Sequence, residues 1–240
     1  MTSRVEKVAY SVAREIVAHV VEDQLPPGAV LESETEMMER YEVSRGSLRE
    51  ALRILETLGF VQLKPGPRGG PVVLNPDVRQ FSKIATLYYQ RIDATYRELL
   101  EVRLTLEAAS AALAAARRTP EDAEKLRAHL EASRDATLAD DRAFQVVGQG
   151  FHVMVAQMAG NRVLGFMVNS CTDVVASRTA HYLYPPDSRL AVAEIHERIG
   201  NAIISGDVKA AEATMREHME DYLSEAMAQY GGVMAEIVRW

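Results

Sequence analysis

Two sets of side chains in the sequence have the types and spacing for chemistry: a row of arginines and three separated histidines. Arg45, Arg49 and Arg53 recur every four residues, so their guanidinium groups share one face if the segment is helical. Guanidinium groups bind phosphates and the edge of guanine through paired hydrogen bonds. The same row is typical of a solvated helix face, where Glu50 and Glu56 would pair with the arginines. The row alone leaves DNA binding and a solvated surface both open.

The three histidines lie in different segments of helical period. Each of His152, His196 and His218 shares its helix face with apolar residues, so we expect the imidazoles to point into the interior. Buried imidazoles need polar partners, and three that converge satisfy one another poorly unless a cation lies between them. The alternative is three ordinary core histidines with separate hydrogen-bond partners. Spacing does not decide between these two interpretations.

The segments around the arginine row predict three short helices. Residues 4–23 have apolar positions at a helical period and end before two prolines and a glycine. Ser33, with Glu36 three residues later, is a capping box for a second helix. Ser44 caps a third helix, whose leucines form a stripe opposite the arginines and whose end is marked by Gly59.

A β-hairpin is predicted directly after the third helix. Its strands are residues 60–63 and 71–74, and its tip carries Lys64 and Arg68, which can reach a neighbouring phosphate or the minor groove. Three helices with a short turn before the third, followed by a hairpin, are the elements of a winged helix-turn-helix. This order favours DNA binding over a solvated face for the arginine row.

From residue 77 onward the sequence predicts only helices. Leu-, Ala- and Glu-rich segments with a helical period continue to the end, and we expect six or seven helices. Turn and capping residues predict breaks near residues 119–120, 139–141, 160–161, 184–187 and 205–207. The predicted fold is therefore mainly α, with a winged helix-turn-helix domain at 1–76 and an all-helical domain at 77–240.

Composition limits where DNA could bind and where the protein works. The 240 residues carry a net charge of −7, and residues 1–76 contain nine basic and eleven acidic side chains, so DNA affinity must come from a local patch. The one cysteine, Cys171, cannot form an internal disulfide, which favours a reducing compartment. Charges interrupt the N-terminal segment, and no apolar run approaches the roughly 20 residues of a membrane span. We expect a soluble cytoplasmic protein without membrane contact.

The run 28-GAVLESETEMMERYEVSRGSLREALRILETLGFVQLKPGPRGGPVV-73 resembles the DNA-binding domain of the GntR family of bacterial transcription regulators. The resemblance implies a homodimer that reads a palindromic double-stranded operator, with the third helix in the major groove and the wing tip in the minor groove. Family members usually carry Arg where this chain has Thr35, so one expected contact is missing. The family's DNA contacts match Ser44, Arg45, Ser47, Arg49 and Gly66.

The remaining chain resembles the FCD effector domain of the FadR subfamily, through the segments that begin at 98-ELLEVRLTLEAASAALAA, 151-FHVMVAQMAGN and 196-HERIGNAIISGDVKAAEATMREH. The resemblance implies that Arg103 binds an effector carboxylate and that His152, His196 and His218 hold a divalent metal of the Zn, Ni or Mn class. Many members have an Asp ligand at the position of Gly148. Water, an effector carboxylate, Gln145 or Gln149 would complete the metal's coordination here.

These observations predict a ligand-responsive repressor, not an enzyme, whose helical domain binds a small organic acid through a His-coordinated metal. One alternative is a metal-free regulator of a larger ligand such as an acyl thioester. A three-histidine metalloenzyme is a less favoured alternative, because no glutamate is placed as a general base beside a ligand and no H-x-x-x-H motif is present.

Overall fold

The computed structural model describes residues 4–66, 69–75, 77–137, 141–179 and 188–240. Within these ranges the fold is mainly helical and contains one antiparallel hairpin, which confirms the predicted fold class. The helices are α1 (Arg4–Glu22), α2 (Glu34–Arg40), α3 (Arg45–Thr57), α4 (Val78–Arg91), α5 (Tyr96–Arg117), α6 (Pro120–Ala136), α7 (Asp141–Met158), α8 (Arg162–Thr179), α9 (Arg189–Ser205) and α10 (Val208–Met234). The strands are β1 (Val61–Lys64) and β2 (Gly70–Val73). Two compact units, Met1–Phe81 and Ser82–Trp240, make up the chain.

The helix-turn-helix in the first unit is defined by its caps. Ser33 Oγ accepts a hydrogen bond from the Glu36 amide at 3.4 Å, and the Glu36 carboxylate accepts one from the Ser33 amide at 2.9 Å, so the predicted capping box begins α2. Ser44 Oγ accepts a hydrogen bond from the Ser47 amide at 3.3 Å and begins α3. Gly59, with φ of +73°, allows the chain to reverse direction after α3.

The apolar stripe of α3 forms the centre of this unit's core. Leu48, Leu52 and Leu55 are all buried, and they belong to one cluster with apolar residues of α1 such as Ile16. Because the stripe occupies the inward face, the opposite face of α3 is exposed to solvent. Burial of the leucines therefore fixes the orientation of the arginine row.

The hairpin is shifted by one residue from the predicted strands, and Val61 pairs with Val73. A Cβ added at Gly69 would lie 2.1 Å from the Lys64 carbonyl oxygen, so the hairpin can close tightly only with glycine at this position. Gly66, with φ of +109°, provides a second conformation that favours glycine. Arg68, predicted at the tip, lies outside the described residues.

The second unit is built around α5, which contacts α7, α8, α9 and α10. Close packing is possible because the buried face of α5 includes four alanines, Ala108, Ala111, Ala114 and Ala115. Helices are separated, as predicted, near residues 119–120, 160–161 and 205–207. The break predicted near 139–141 agrees with the start of α7 at Asp141. The break predicted at 184–187 lies outside the described residues.

One break in this unit was not predicted. It separates α4 from α5, where Asp93 takes a left-handed conformation with φ of +55° and Thr95 forms a capping box with Glu98. Neither proline nor glycine marks the position, but Thr95 with Glu98 three residues later is the same capping pattern as Ser33 with Glu36 and was the available signal. Across the described ranges, no helix combines the length and apolar character that crossing a lipid bilayer requires.

Candidate functional site

The three predicted histidines meet in the interior of the helical unit. His152 on α7, His196 on α9 and His218 on α10 are 3%, 1% and 6% exposed, and one ring nitrogen from each lies within 4.8 Å of the others. The Nε2 atoms of His196 and His218 are 3.2 Å apart. Two imidazole nitrogens on one tetrahedral zinc ion would be about 3.3 Å apart, given Zn–N bonds of about 2.0–2.1 Å. The spacing of this pair suits a shared metal ion.

Apolar packing holds the imidazoles in these positions. The Phe151 ring stacks on His196 with a centroid separation of 4.2 Å and an interplanar angle of 14°. Ile199, one turn along α9 from His196, and Met215, one turn before His218, are fully buried in the same core. The same apolar helix faces from which buried histidines were predicted therefore also restrict the rotation of the imidazole rings.

The environment keeps two of the imidazoles neutral. Burial, reinforced by the neighbouring His218 and His152, lowers the pKa of His196 well below its ordinary value. Burial, together with the adjacent His152, lowers the pKa of His218 to about 3. Neutral imidazole is the form that binds metal, so both side chains have a lone pair available at neutral pH.

A buried carboxylate orients the third imidazole. Glu107 on α5 is 1% exposed and contacts Nδ1 of His152 through Oε2. Its Oε1 accepts hydrogen bonds from Arg103, at 2.8 Å from Nε and 2.7 Å from the second guanidinium nitrogen. Burial alone would raise the pKa of Glu107, but Arg103 and His152 outweigh burial and lower it to about 2. An ionised Glu107 accepts the Nδ1 proton of His152 and leaves Nε2 as the ligand nitrogen.

The sequence prediction of this site did not include Glu107. Arg103, predicted to bind an effector carboxylate, is 5% exposed and has Glu107 as its carboxylate partner, four residues along the same helix. Its guanidinium carbon also lies 5.9 Å from the centroid of the Tyr222 ring. The i, i+4 spacing of an arginine and a glutamate in an otherwise apolar helix face was the available signal.

Hydrogen bonding among the imidazoles is incomplete without a further group. The two Nε2 atoms that lie 3.2 Å apart can share only one proton. Nδ1 of His196 is buried and has no hydrogen-bond partner among the described residues. A cation coordinated by both Nε2 atoms would satisfy their two lone pairs, which a single shared proton cannot do. The donor set of three neutral imidazoles, one oriented by a carboxylate, fits a divalent metal.

A cavity of about 260 Å³ lies between α9 and α10 and reaches His218. Its wall includes the carboxyl residues Glu217, Asp221 and Glu225, and among its described lining residues Arg198 is the only arginine or lysine. Glu217 and Arg198 form an ion pair at 3.4 Å. The lining is acidic overall, which suits the approach of a cation more than that of an anion.

The predicted DNA-facing residues lie at the start of α3. Arg45 and Arg49 are exposed, as is Ser44, which caps the helix. Arg49 Nε lies 3.2 Å from both carboxylate oxygens of Glu34 on α2, so the partner of this arginine is neither Glu50 nor Glu56. The helix N-terminus and Arg45 carry positive charge at this surface, and the charge of Arg49 is paired with that of Glu34.

The other residues of this set have different environments. Ser47 is 9% exposed, and its hydroxyl lies 3.1 Å from Ser44 Oγ, so it supports the cap. Gly66 is exposed in the wing, Arg53 is exposed one turn beyond Arg49, and Thr35 is exposed near the start of α2. Gly66, Arg53 and Thr35 are thus exposed, whereas Ser47 is buried under the cap of α3.

Comparison with known proteins matches a family model to each of the two units. The family model for bacterial regulatory proteins of the gntR family matches residues 9–69, and that for the FCD domain matches residues 98–221. The HTH-type transcriptional regulator LutR of Bacillus subtilis is 31% identical over 211 residues, which span 84% of this chain and 94% of that protein. The putative L-lactate dehydrogenase operon regulatory protein of Escherichia coli is 31% identical over 228 residues, 89% of this chain and 84% of its own length.

A solved structure, that of Streptococcus agalactiae GntR, has the same fold, with a TM-score of 0.75 and 24% identity over 91% of this chain and 100% of that one. The chain belongs to the GntR family of bacterial regulatory proteins and carries an FCD domain in its helical unit. It is a DNA-binding transcriptional regulator, and its relatives are regulators and not enzymes. The predicted family is thereby confirmed.

Proposed function

We propose that this regulator is a homodimer that reads a palindromic operator with α3 and represses transcription until a small organic acid binds the helical unit. Arg45 and Arg49 would contact base edges or phosphates, and Ser44 would contact a phosphate at the helix N-terminus. Gly66 and Arg68 would bring the wing to the minor groove. The proposal on the operator is supported by the exposure of Arg45 and Arg49 and by the cap at Ser44.

The Arg49–Glu34 ion pair does not oppose this role. The side chains are 57% and 35% exposed, and such surface pairs contribute about 0–1 kcal/mol to stability. A contact between an arginine and a guanine is worth about 1–3 kcal/mol in discrimination. DNA would therefore displace Glu34 from Arg49 at a small cost, and Glu34 would hold Arg49 in an extended position until then.

A gel-shift assay with the operator upstream of the regulated gene tests this assignment. Arg45→Ala and Arg49→Ala should each weaken binding by about 1–3 kcal/mol, and Arg53→Ala, a matched variant in the same row, should have a smaller effect. Equal loss in all three variants would indicate a non-specific electrostatic surface. Unchanged affinity in Arg45→Ala and Arg49→Ala would refute the recognition surface.

For the site that binds the effector, we propose a divalent metal of the Zn, Ni or Mn class held by His152, His196 and His218. The observation that carries this proposal is the convergence of three buried imidazoles within 4.8 Å. The metal, when bound, supplies a Lewis-acid charge that anchors a carboxylate. Glu107 would fix the proton of His152, and Arg103 would balance the charge of Glu107 and contribute to the positive field at the acid.

Metal analysis of the purified protein tests this centre directly. His196→Ala should lose most of the bound metal, and His19→Ala, which changes a histidine of the first unit, should keep it. Thermal unfolding of the wild type should move to higher temperature with added Zn²⁺ or Ni²⁺ and should not do so in His196→Ala. Full metal content in His196→Ala would refute the centre.

The small size of the cavity between α9 and α10 argues against a bulky acyl thioester, and its acidic wall suits a cation, so the acid is not assigned to this cavity. Its volume of about 260 Å³ is below the range of roughly 300–1,000 Å³ that is usual for drug-sized ligands. A relative is named as a regulator of an L-lactate dehydrogenase operon, so L-lactate is the first acid to test. A wild-type protein that contains no metal and responds to a long-chain thioester would favour the metal-free alternative.

A further inference from the structure

Helix α4 carries the chain from the first unit into the second, because the boundary between Phe81 and Ser82 falls inside it. In its first turn, Gln80 Nε2 donates a hydrogen bond of 2.6 Å to the carbonyl oxygen of Thr57, the last residue of α3. The start of α4 is therefore attached to the end of the helix whose N-terminal residues are proposed to read DNA.

The side chains of α4 anchor it weakly in the second unit. Among the residues of α4, all of which the structure describes, the buried side chains are Ser82 and Thr86, which are small and polar. Ser82 Oγ lies 3.2 Å from Ser170 Oγ on α8. The larger Leu87 and Tyr88 are 48% and 69% exposed. Since little apolar area is fully buried along α4, an attachment at its far end contributes strongly to its direction.

A segment after α10, residues 235–239, supplies this attachment, and we call it the strap. Its backbone forms an antiparallel bridge with the turn between α4 and α5, in which Ile237 pairs with Thr95. The Val238 amide donates a hydrogen bond of 2.8 Å to the Ala94 carbonyl oxygen in the same turn. The strap therefore holds the chain just after α4 ends.

Two side chains fasten the strap to the helical unit. Val238 is fully buried in a cluster of apolar residues from α5, α8 and α10. Glu236 pairs with Arg178 at the end of α8, whose terminal guanidinium nitrogen lies 3.0 and 2.9 Å from the two carboxylate oxygens. A pair that uses both carboxylate oxygens fixes direction as well as distance. The turn after α4 is thus tied to α8 and to the core beside it.

The length of α4 makes small changes in its direction important. Its 14 residues span about 21 Å at a rise of about 1.5 Å per residue. A tilt of about 10° at one end would move the other end by about 4 Å, close to the roughly 3.4 Å between successive base pairs. A loosely held α4 would therefore allow the DNA-reading helix to reach half-sites at several separations.

We propose that the strap, through Glu236 and Val238, is a specificity-determining element that restricts the regulator to one separation between the half-sites of a palindrome. This inference rests on the proposed homodimer and its palindromic operator. With α4 held, the second subunit binds only when the half-sites match its position, so affinity depends strongly on spacing. With α4 released, the two DNA-binding units are joined flexibly at a lower effective concentration, so the favoured spacing loses affinity and other spacings lose less.

One pair of substitutions releases the strap, and two single substitutions are matched controls. Val238→Ala combined with Glu236→Gln removes both side-chain attachments and should make hydrogen exchange of the residue 238 amide faster. Ile237→Ala changes a neighbouring strap side chain that is 37% exposed. Val155→Ala removes the same atoms as Val238→Ala from a valine that is 1% exposed in the core around α7, and so reports the effect of lost stability alone.

The experiment measures fluorescence anisotropy of the full chain with a palindromic duplex that the wild-type protein selects from random DNA. The same duplex with one, two or five base pairs inserted at its centre, and a single half-site, complete the series. The wild type should lose about tenfold or more in affinity when the spacing changes. In the double variant the ratio of affinities between the original and the altered spacings should fall about threefold or more, with half-site affinity unchanged. Both controls should keep the wild-type ratio.

The outcomes separate the strap from the proposed function. A double variant that keeps the wild-type ratio overturns the proposal, because either the released strap has no effect on spacing or these side chains do not hold it. The same fall in Val155→Ala would also overturn it, since the effect would then follow stability. If the double variant does not fold, Glu236→Gln alone gives the same comparison through a partly exposed side chain. A wild type that selects no palindrome, or binds one no more tightly than a half-site, refutes the proposed homodimeric reading and the strap's role with it.

Discussion

Replacing Glu107 by glutamine changes one charge and one proton position in the helical unit. Arg103 needs an acceptor, so the amide oxygen of the introduced glutamine should face the guanidinium group and its amide NH₂ should face His152. An NH₂ donor then requires an unprotonated Nδ1 on His152. The proton moves to Nε2, and His152 can no longer bind metal through that nitrogen.

The magnitude follows from the burial of the three groups. Glu107 and Arg103 are 1% and 5% exposed, and removing one partner of a buried ion pair costs about 3–5 kcal/mol. The glutamine keeps one hydrogen bond to Arg103, so we expect a loss of unfolding free energy near the lower limit. Loss of the group that orients a metal-binding histidine lowers metal affinity by about 10–100-fold.

Two measurements on one set of variants separate stability from metal binding. Urea unfolding gives the stability of Glu107→Gln and of the paired variant Arg103→Met with Glu107→Leu, which removes both charges and should recover much of the lost stability. Isothermal titration with Zn²⁺ should show weakened binding in both variants, because glutamine places the proton of His152 on Nε2 and leucine removes the acceptor that fixes that proton on Nδ1. A folded Glu107→Gln protein that binds Zn²⁺ as tightly as the wild type would refute the role of Glu107.

Two further predictions concern pH and the wing. In chelator-treated protein, the free energy of unfolding should rise with pH between about 5 and 6.5, because histidine binds a proton there in the unfolded chain while buried His196 and His218 do not. Each of the two histidines adds up to about 1.4 kcal/mol per pH unit to this slope. Urea unfolding at several pH values measures the slope, which His218→Gln should reduce. Gly69→Ala should lower the melting temperature through a cost of about 1–3 kcal/mol, because its Cβ would lie 2.1 Å from the Lys64 carbonyl oxygen. Gly46→Ala, whose Cβ meets only Ser44 Oγ at 3.9 Å, is the control and should not destabilise.

Much of the fold is written in local patterns of the sequence. The boxes at Ser33 and Thr119 predicted the starts of α2 and α6, because a side chain three residues later completes each cap within a single turn. The break before Thr95 was missed although Thr95 and Glu98 form the same kind of box, because no proline or glycine precedes it and Asp93 takes the left-handed conformation instead. A helix end is easiest to predict where proline, glycine or another frequent turn residue marks it.

The site was predictable in part for a related reason. The burial of each histidine followed from the apolar residues on its helix face, but Glu107 looked like an ordinary helix former four residues after Arg103. Its role depends on α7 bringing His152 to α5, a contact between residues 45 positions apart. The Arg49–Glu34 pair likewise depends on how α2 lies beside α3. Pairings of this kind follow from tertiary packing, which periodicity does not encode.

The acidic residues beside α3 have a consequence for how the regulator selects DNA. Non-specific binding comes almost entirely from neutralised phosphates, and residues 1–76 have more acidic than basic side chains. Glu34 pairs with Arg49, and Arg40 pairs with Glu32 at 2.8 Å, so two of the few basic groups are already balanced when DNA is absent. Random DNA gains little from displacing these carboxylates, whereas a matching operator also gains base contacts. In the proposed homodimer, a second linked subunit would add to the few base contacts that one subunit offers, and specificity would rise because the non-specific term is kept small.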